Sequence, residues 1–145
     1  METDAIWLTP ENRLLHLLQE YSRGKIVEGL SGLGYALHRV ASLRLMCDLR
    51  DLAYTIQLDS KECNETTLGI PSLFIYDSHS GGVGLSLRAY DTIDLIIKDG
   101  KNLIDGCGCK KGCPSCIGPE GDGSISAKEI AAALARGMSG LERVK

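Results

Sequence analysis

Four of the six cysteines in this chain lie within ten residues, in the segment CGCKKGCPSC. One, three and two residues separate successive cysteines, and glycines at 108 and 112 give the backbone the freedom that tight turns need. Structural zinc takes four thiolate or imidazole ligands in a tetrahedron. The pattern therefore predicts one structural zinc ion, held by Cys107, Cys109, Cys113 and Cys116. With four protein ligands, no coordination position remains open to activate water.

Two other interpretations of these cysteines stay open at this point. Cys113 and Cys116 alone have the spacing of a redox pair, and four cysteines in an oxidising compartment can form two disulfides. Redox pairs usually open a helix after a strand, whereas here two further cysteines precede the pair and Ile-Gly-Pro follows it. The zinc interpretation is favoured because a complete ligand set is more specific than a lone pair.

A second candidate site is the glycine-rich segment 77–84, which follows an apolar run and precedes a helical pattern. Backbone N–H groups at such a turn attract anions, so Asp77, Gly81, Gly82 and Gly84 form a possible anion site. The spacing is not Gly-x-Gly-x-x-Gly, and the simpler interpretation is a tight junction capped by Asp77. A phosphate-ligand enzyme using Asp77 and His79 is a further hypothesis, which requires the two side chains to converge.

Basic residues are unevenly distributed along the chain. Residues 12–50 contain six Lys or Arg against three Asp or Glu, whereas residues 51–100 contain three against eight. A basic helical face could meet DNA phosphates, and so could two lysines between the cysteines. The possible DNA contacts are Arg39, Arg44, Lys110 and Lys111. The alternative is a solvated or domain-facing surface, because no aromatic residues are interleaved with these bases.

The whole chain has 145 residues, 43% of them hydrophobic and 24% charged, with a formal net charge of -3. This length predicts one domain over residues 1–145, and the composition argues against disordered and fibrous classes. The charge lacks the strongly basic balance of a free-standing nucleic-acid binder. The modest cysteine fraction, and an N-terminus without a basic, apolar leader, predict a reduced, cytoplasmic protein. No apolar run is long enough for a membrane helix.

Apolar patterns predict the elements that must position these sites. Short strands are expected at 5–8 and 52–58, and a central strand at 72–76 because that run is continuously apolar. Helical spacing predicts helices over 11–21, from 30 to about 47, and from 83 to a stop at Gly100. Residues 102–124, the knuckle, have no apolar period and need another source of order. Ser126 and Glu129 form a capping box before a last helix over 127–138.

The segments LFIYDSHSGGVGLS and CGCKKGCPSCIGP, with a helix between them and another after them, resemble the MrfA zinc-binding domain family. Members are similar at an Asp-x-x-x-Gly-Gly-Val-Gly-Leu element, here residues 77–85, at the four cysteines and at Gly118-Pro119. The residues Ser78-His79-Ser80 depart from relatives, which often have a small residue, an aromatic residue and a proline there. The resemblance covers most of the chain, more loosely over its first half.

The resemblance implies a role in a superfamily 2, DEAD/DEAH-box helicase that unwinds or translocates on DNA during repair, with this domain C-terminal to the motor. The chain itself has no Gly-x-x-x-x-Gly-Lys-Ser/Thr segment, since Ile26 follows Gly24-Lys25, and no Asp-Glu-x-His segment. We therefore expect a non-catalytic accessory domain that buttresses a motor in cis or in trans and helps to guide DNA. The alternative is a protein-interaction adaptor without DNA contact. The expected fold is α+β, with a small mixed sheet, packed helices and the zinc knuckle before the C-terminal helix.

Overall fold

A three-stranded sheet forms one layer of the computed structural model, which describes residues 3–58, 71–118 and 126–138. The strands are β1 (Ala5–Leu8), β2 (Leu52–Leu58) and β3 (Pro71–Asp77). β3 is central, with Ile75 opposite Ile6 on one side and opposite Tyr54 on the other. The predicted central strand and the α+β class are confirmed. Both pairings are antiparallel, however, so the described sheet is not mixed.

The two faces of this sheet have different environments. Side chains along β3 alternate between buried and half-buried, as expected when one face of a sheet meets the core. Leu73 and Ile75 point into the core, whereas Phe74 lies on the other face beside Trp7, with ring centroids 6.2 Å apart. Trp7 remains 64% exposed. One face of the sheet is therefore used for folding, and the other presents aromatic side chains outward.

The longest helix, α2 (Arg23–Leu45), packs against the core face of the sheet. Its buried stripe includes Ile26, Leu30, Leu33, Leu37 and Ala41. The helix begins seven residues before the predicted start because the Ser22 side chain caps it, accepting a hydrogen bond from the Lys25 N–H at 3.3 Å. It ends at Leu45, and the next residue, Met46, adopts a left-handed conformation with φ 56°.

The helical segment after β3 is divided in two, where the sequence pattern predicts one helix. α3 (Leu85–Asp91) and α4 (Ile93–Gly106) meet at Thr92, whose φ of -116° leaves the helical region. Gly100 does not end α4. A Cβ at this position would lie 2.6 Å from Leu37 Cδ2, so the glycine permits close approach to α2. Because α4 continues to Gly106, the knuckle begins at Cys107 and not at residue 102.

Two further helices complete the described fold. α1 (Asn12–Leu17) is shorter than predicted, because turn-type hydrogen bonds such as Tyr21 N–H to Leu18 O follow it. α5 (Ser126–Met138) matches the predicted last helix and packs chiefly against α2 and α4. Residues 119–124 of the predicted knuckle lie outside the described residues. Within the described ranges, no helix has both the length and the apolar character needed to cross a bilayer.

Candidate metal centre

The four predicted ligands converge on one point between α4 and α5. The Sγ atom of Cys107 lies 3.5 Å from those of Cys109 and Cys113, and the Sγ atom of Cys116 lies 3.4 Å from Cys109 and 3.8 Å from Cys113. All four sulfurs lie within 4.8 Å of one another. A tetrahedron with Zn–S bonds of about 2.3 Å has sulfurs roughly 3.8 Å apart. The donor set therefore fits one zinc ion.

This arrangement decides between the interpretations of the cysteines. All four are free thiols, so the structure contains no disulfide among them. Cys113 and Cys116 do not stand apart as a redox pair, because each also lies within 3.5 Å of a thiol from the first half of the cluster. Bound zinc in a four-thiolate site lacks an open position and supplies structural stability, not Lewis-acid chemistry.

Local backbone geometry explains how so short a segment presents four sulfurs. The carbonyl of Cys113 accepts hydrogen bonds from the N–H groups of Cys116 and Gly118, both at 3.0 Å. These bonds close a tight turn around the second ligand pair, Cys113 and Cys116. Gly112 and Gly118 adopt φ values of 102° and 90°, which residues with a Cβ rarely adopt. The first ligand pair, Cys107 and Cys109, directly follows α4, where the Cys107 N–H donates a hydrogen bond to Ile104 O.

The knuckle is also anchored to α2. Ile117 is buried against Gly32, where an added Cβ would lie 3.0 Å from Ile117 Cβ. The Tyr35 hydroxyl donates a hydrogen bond to the carbonyl of Pro114 at 2.8 Å, and its ring packs against Gly118. These contacts attach both ends of the turn at residues 113–118 to α2, so the metal is not the sole source of order in the knuckle.

Sequence reasoning missed Lys128, which contacts the cluster from the first turn of α5. Its Nζ atom donates to the carbonyl of Cys107 at 2.9 Å, to the carbonyl of Cys109, and to Cys109 Sγ at 3.2 Å. A lysine in the first turn of a helix opposes the helix dipole, which favours negative charge there. That unfavourable placement was the available sequence signal for a nearby anionic group.

The ionisation of the metal-free thiols is uneven. Desolvation alone would raise the pKa of Cys109, but hydrogen bonds from Lys128 and the neighbouring thiols lower it to about 6. Burial raises the pKa of Cys116 to about 12. A backbone hydrogen bond from Ser115 is the largest contribution that lowers the pKa of Cys113. The pKa is thus lowered for Cys109 and Cys113, which accept hydrogen bonds, and raised for the buried Cys116.

The glycine turn does not present a vacant anion site at its helix. Asp77 is fully buried, and its carboxylate accepts hydrogen bonds from the N–H groups of Val83, Leu85 and Ser86 at 2.6, 3.2 and 2.7 Å. Gly81, Gly82 and Gly84 all have positive φ, which lets the chain wrap around this carboxylate. The chain supplies its own anion, so the geometry favours the capped-junction interpretation over ligand binding.

The hypothesis of an enzyme using Asp77 and His79 also fails on geometry. His79 is exposed, and its Nε2 lies 3.1 Å from Asp51 Oδ1, whereas the carboxylate of Asp77 is buried and bonded to backbone N–H groups. The two side chains have separate partners and do not converge on a pocket. His38, in α2, bonds through Nε2 to the carbonyls of Leu49 and Leu52 and so has a structural role.

The four candidate DNA contacts have different environments. Arg44 is bound to Asp99 of α4, with its Nη2 2.6 Å from Oδ2, so the structure assigns it to helix packing and not to a free basic face. Arg39 is exposed and lies over the Tyr35 ring, 4.4 Å from its centroid. This pair brings an aromatic residue beside a base, contrary to the sequence expectation. Lys110 and Lys111 are both exposed on the knuckle.

Comparisons with known proteins agree on one family. A family model, the MrfA Zn-binding domain, matches residues 33–117. The chain is 31% identical to the ATP-dependent helicase YprA of Bacillus subtilis over 129 residues, which cover 89% of this chain and 16% of that protein. It is 43% identical over 47 residues to the ATP-dependent helicase HRQ1 of Saccharomyces cerevisiae, covering 31% of this chain and 4% of HRQ1.

Solved structures give the same result. The crystal structure of the DUF1998 helicase MrfA bound to DNA superposes with a TM-score of 0.74 at 30% identity, over 93% of this chain and 17% of MrfA. A complex of MrfA with DNA and AMPPNP superposes with a TM-score of 0.59. The chain thus spans about one sixth of the length of YprA and MrfA. Its four clustered thiols, its fold and the matched residues together show that this chain belongs to the MrfA Zn-binding domain family.

Proposed function

We propose that residues 1–145 form one non-catalytic accessory domain of a cytoplasmic, superfamily 2 DNA helicase that works in DNA repair. The observation that carries the proposal is the superposition on MrfA over 93% of this chain but only 17% of that helicase. The sequence lacks the nucleotide-binding motifs of a motor, and the four-thiolate centre has no open coordination position. Such a module supports a motor by shape and contact, in cis or in trans, and does not hydrolyse ATP.

The test is a domain exchange in a relative. The segment of YprA that matches this chain is deleted and replaced by residues 1–145, and ATP-dependent unwinding of a forked DNA is measured. We expect the deletion to lose unwinding and the exchange to restore it. The matched control carries Cys113→Ser and Cys116→Ser, which remove half of the zinc ligands and should abolish the rescue. A folded, zinc-loaded exchange protein as inactive as the deletion would overturn the buttressing role.

A role in guiding DNA is the finer part of this proposal. Support comes from Arg39, whose guanidinium lies on the Tyr35 ring, an arrangement suited to contact with a phosphate or a nucleobase. The hydroxyl of Tyr35 is bonded to Pro114 of the knuckle, so this pair lies next to the zinc turn. Lys110 and Lys111 add exposed positive charge on the knuckle itself. Arg44 is not among the proposed DNA contacts, because its guanidinium is paired with the carboxylate of Asp99.

DNA binding is tested by fluorescence anisotropy of labelled single-stranded and duplex DNA at 50 and 200 mM NaCl. Arg39→Ala should weaken binding several-fold and reduce the slope of log K against log salt by about 1, as expected for one lost phosphate contact. Arg13→Ala, which removes an exposed arginine of α1, is the matched control and should bind like wild type. Equal binding of Arg39→Ala and wild type would remove this part of the proposal.

The adaptor alternative has one observation in its favour. Trp7 is 64% exposed next to Phe74 on the outer face of the sheet, and large exposed aromatic side chains are enriched at protein interfaces. If the chain binds neither single-stranded nor duplex DNA at low salt, yet restores DNA unwinding to the YprA deletion protein, contact with the motor alone accounts for its function. The anisotropy and exchange experiments together therefore separate the two candidates.

A further inference from the structure

Lys128 makes contacts that a structural zinc site does not require for its coordination shell. Four thiolates complete the tetrahedron, yet the ammonium group reaches from α5 to two ligand carbonyls and to Cys109 Sγ at 3.2 Å. The residue lies outside the part matched by the family model, residues 33–117. Its half-buried side chain links the last helix to Cys107 and Cys109, the first ligand pair.

Charge explains why this position is useful. A zinc tetrathiolate carries a net double negative charge, and its thiolates are strong acceptors of charge-assisted hydrogen bonds. The ammonium group of a half-buried lysine, in contact with one sulfur, interacts with that charge more strongly than the side chains of exposed lysines, which water and salt screen. Lys110 is adjacent to Cys109 in sequence but its side chain is exposed. The two lysines therefore differ in contact and burial, not in formal charge.

We propose that Lys128 is a positioning residue of the zinc centre. Its ammonium group holds the Cys107 and Cys109 carbonyls in place and donates to the Cys109 thiolate, which orients the first ligand pair and strengthens zinc retention. The same bonds attach α5 to the first ligand pair, Cys107 and Cys109. Groups that orient ligands in this way typically change metal affinity by about 10–100-fold.

The test is zinc affinity of the full chain, measured by competition with a chromophoric chelator. Lys128→Met, which keeps side-chain length and helix propensity, should weaken zinc binding at least about tenfold. Lys110→Met is the matched control: it removes the same charge one residue from Cys109 and should stay within about twofold of wild type. Wild-type affinity in Lys128→Met, or an equal loss in both variants, would overturn the proposal.

A cobalt-substituted protein distinguishes ligand positioning from a simple tether between α5 and the loop. Removing the hydrogen bond to Cys109 changes the electron density on that sulfur, so Lys128→Met should shift the sulfur-to-cobalt charge-transfer band, and a tether alone should leave it unmoved. If Lys128→Met does not fold, Lys128→Gln, which keeps a hydrogen-bond donor without the charge, is used instead. Its zinc affinity should be lower than that of wild type, by less than about tenfold, and an affinity equal to that of wild type would contradict the proposal.

Discussion

At the scale of single residues, Asp77 determines the shape of the junction between β3 and α3. Three backbone N–H groups that would otherwise lack partners at this junction donate to its buried carboxylate. Burial alone would raise the pKa of Asp77, but these hydrogen bonds lower it below its ordinary value. The glycines around it are needed for their positive φ, not for contact with a ligand.

Replacing Asp77 by Asn should lower the free energy of unfolding by about 1–3 kcal/mol at pH 7, because the amide cannot accept all three N–H groups and one remains unpaired. Urea unfolding of the zinc-loaded chain measures the loss. Asp105→Asn is the matched control: this exposed carboxylate contacts Lys101 at 3.6 Å and should cost no more than about 0.5 kcal/mol. Equal small losses in both variants would contradict the assigned role of Asp77.

The same carboxylate gives a pH dependence with a definite sign. The pKa of Asp77 is lower in the folded chain than its ordinary value of 3.8, so its stabilisation is present above 3.8 and is lost as pH falls through the folded value. The difference in unfolding free energy between wild type and Asp77→Asn should be constant from pH 8 to about pH 5 and shrink below 3.8. Both proteins contain the same four thiols, so proton-driven loss of zinc cancels in this difference. A difference that grows on acidification would show the opposite pKa shift.

At the scale of elements, the sequence predicted interiors better than ends. The alternating pattern at 52–58 and the apolar run before Asp77 were placed correctly, because side-chain period reports directly which face is buried. The positions of helix ends could not be predicted from glycine alone. Ser22 begins α2 by a side-chain cap, and Gly100 lies inside α4, where it meets Leu37 of another helix. A glycine that stops a helix and one that allows close packing look alike until the neighbouring helix is known.

The glycines of α2 give a paired test of this distinction. A Cβ at Gly29 would lie 2.6 Å from Ile130 Cβ of α5, whereas a Cβ at Gly24 meets no atom within 4 Å. Gly29→Ala should lower the free energy of unfolding by about 1–2 kcal/mol, since overpacking exceeds the gain in helix propensity. Gly24→Ala should be neutral or stabilising by up to about 1 kcal/mol. Thermal and urea unfolding measure both, and stabilisation by Gly29→Ala would show that α2 and α5 are not in close contact.

At the scale of the whole molecule, the hydrophobic core orders the sheet and the helices and extends into the knuckle, where the metal is a second source of order. Buried apolar residues from the sheet, α2, α4 and α5 form one continuous cluster, which includes Cys116 and Ile117 of the knuckle. The sequence predicted the four ligands because their spacing is local. It did not predict Lys128 or the Tyr35 bond to Pro114, because these contacts join positions 19 and 79 residues apart. Only the packing of α2 and α5 brings them together.

Removing zinc should therefore loosen the knuckle and leave the core folded. After treatment with a strong chelator, we expect faster hydrogen exchange at the amides of Cys116 and Gly118, whose partner is Cys113 O, with protection retained in β3 and α2. If zinc contributes at least about 4 kcal/mol, the melting temperature falls by about 10 °C or more. The variant with Cys113→Ser and Cys116→Ser should behave like the chelated protein, and Cys47→Ser, which lies outside the cluster, should keep its zinc. Loss of protection in β3 together with the knuckle would show instead that the core forms only when the metal is bound.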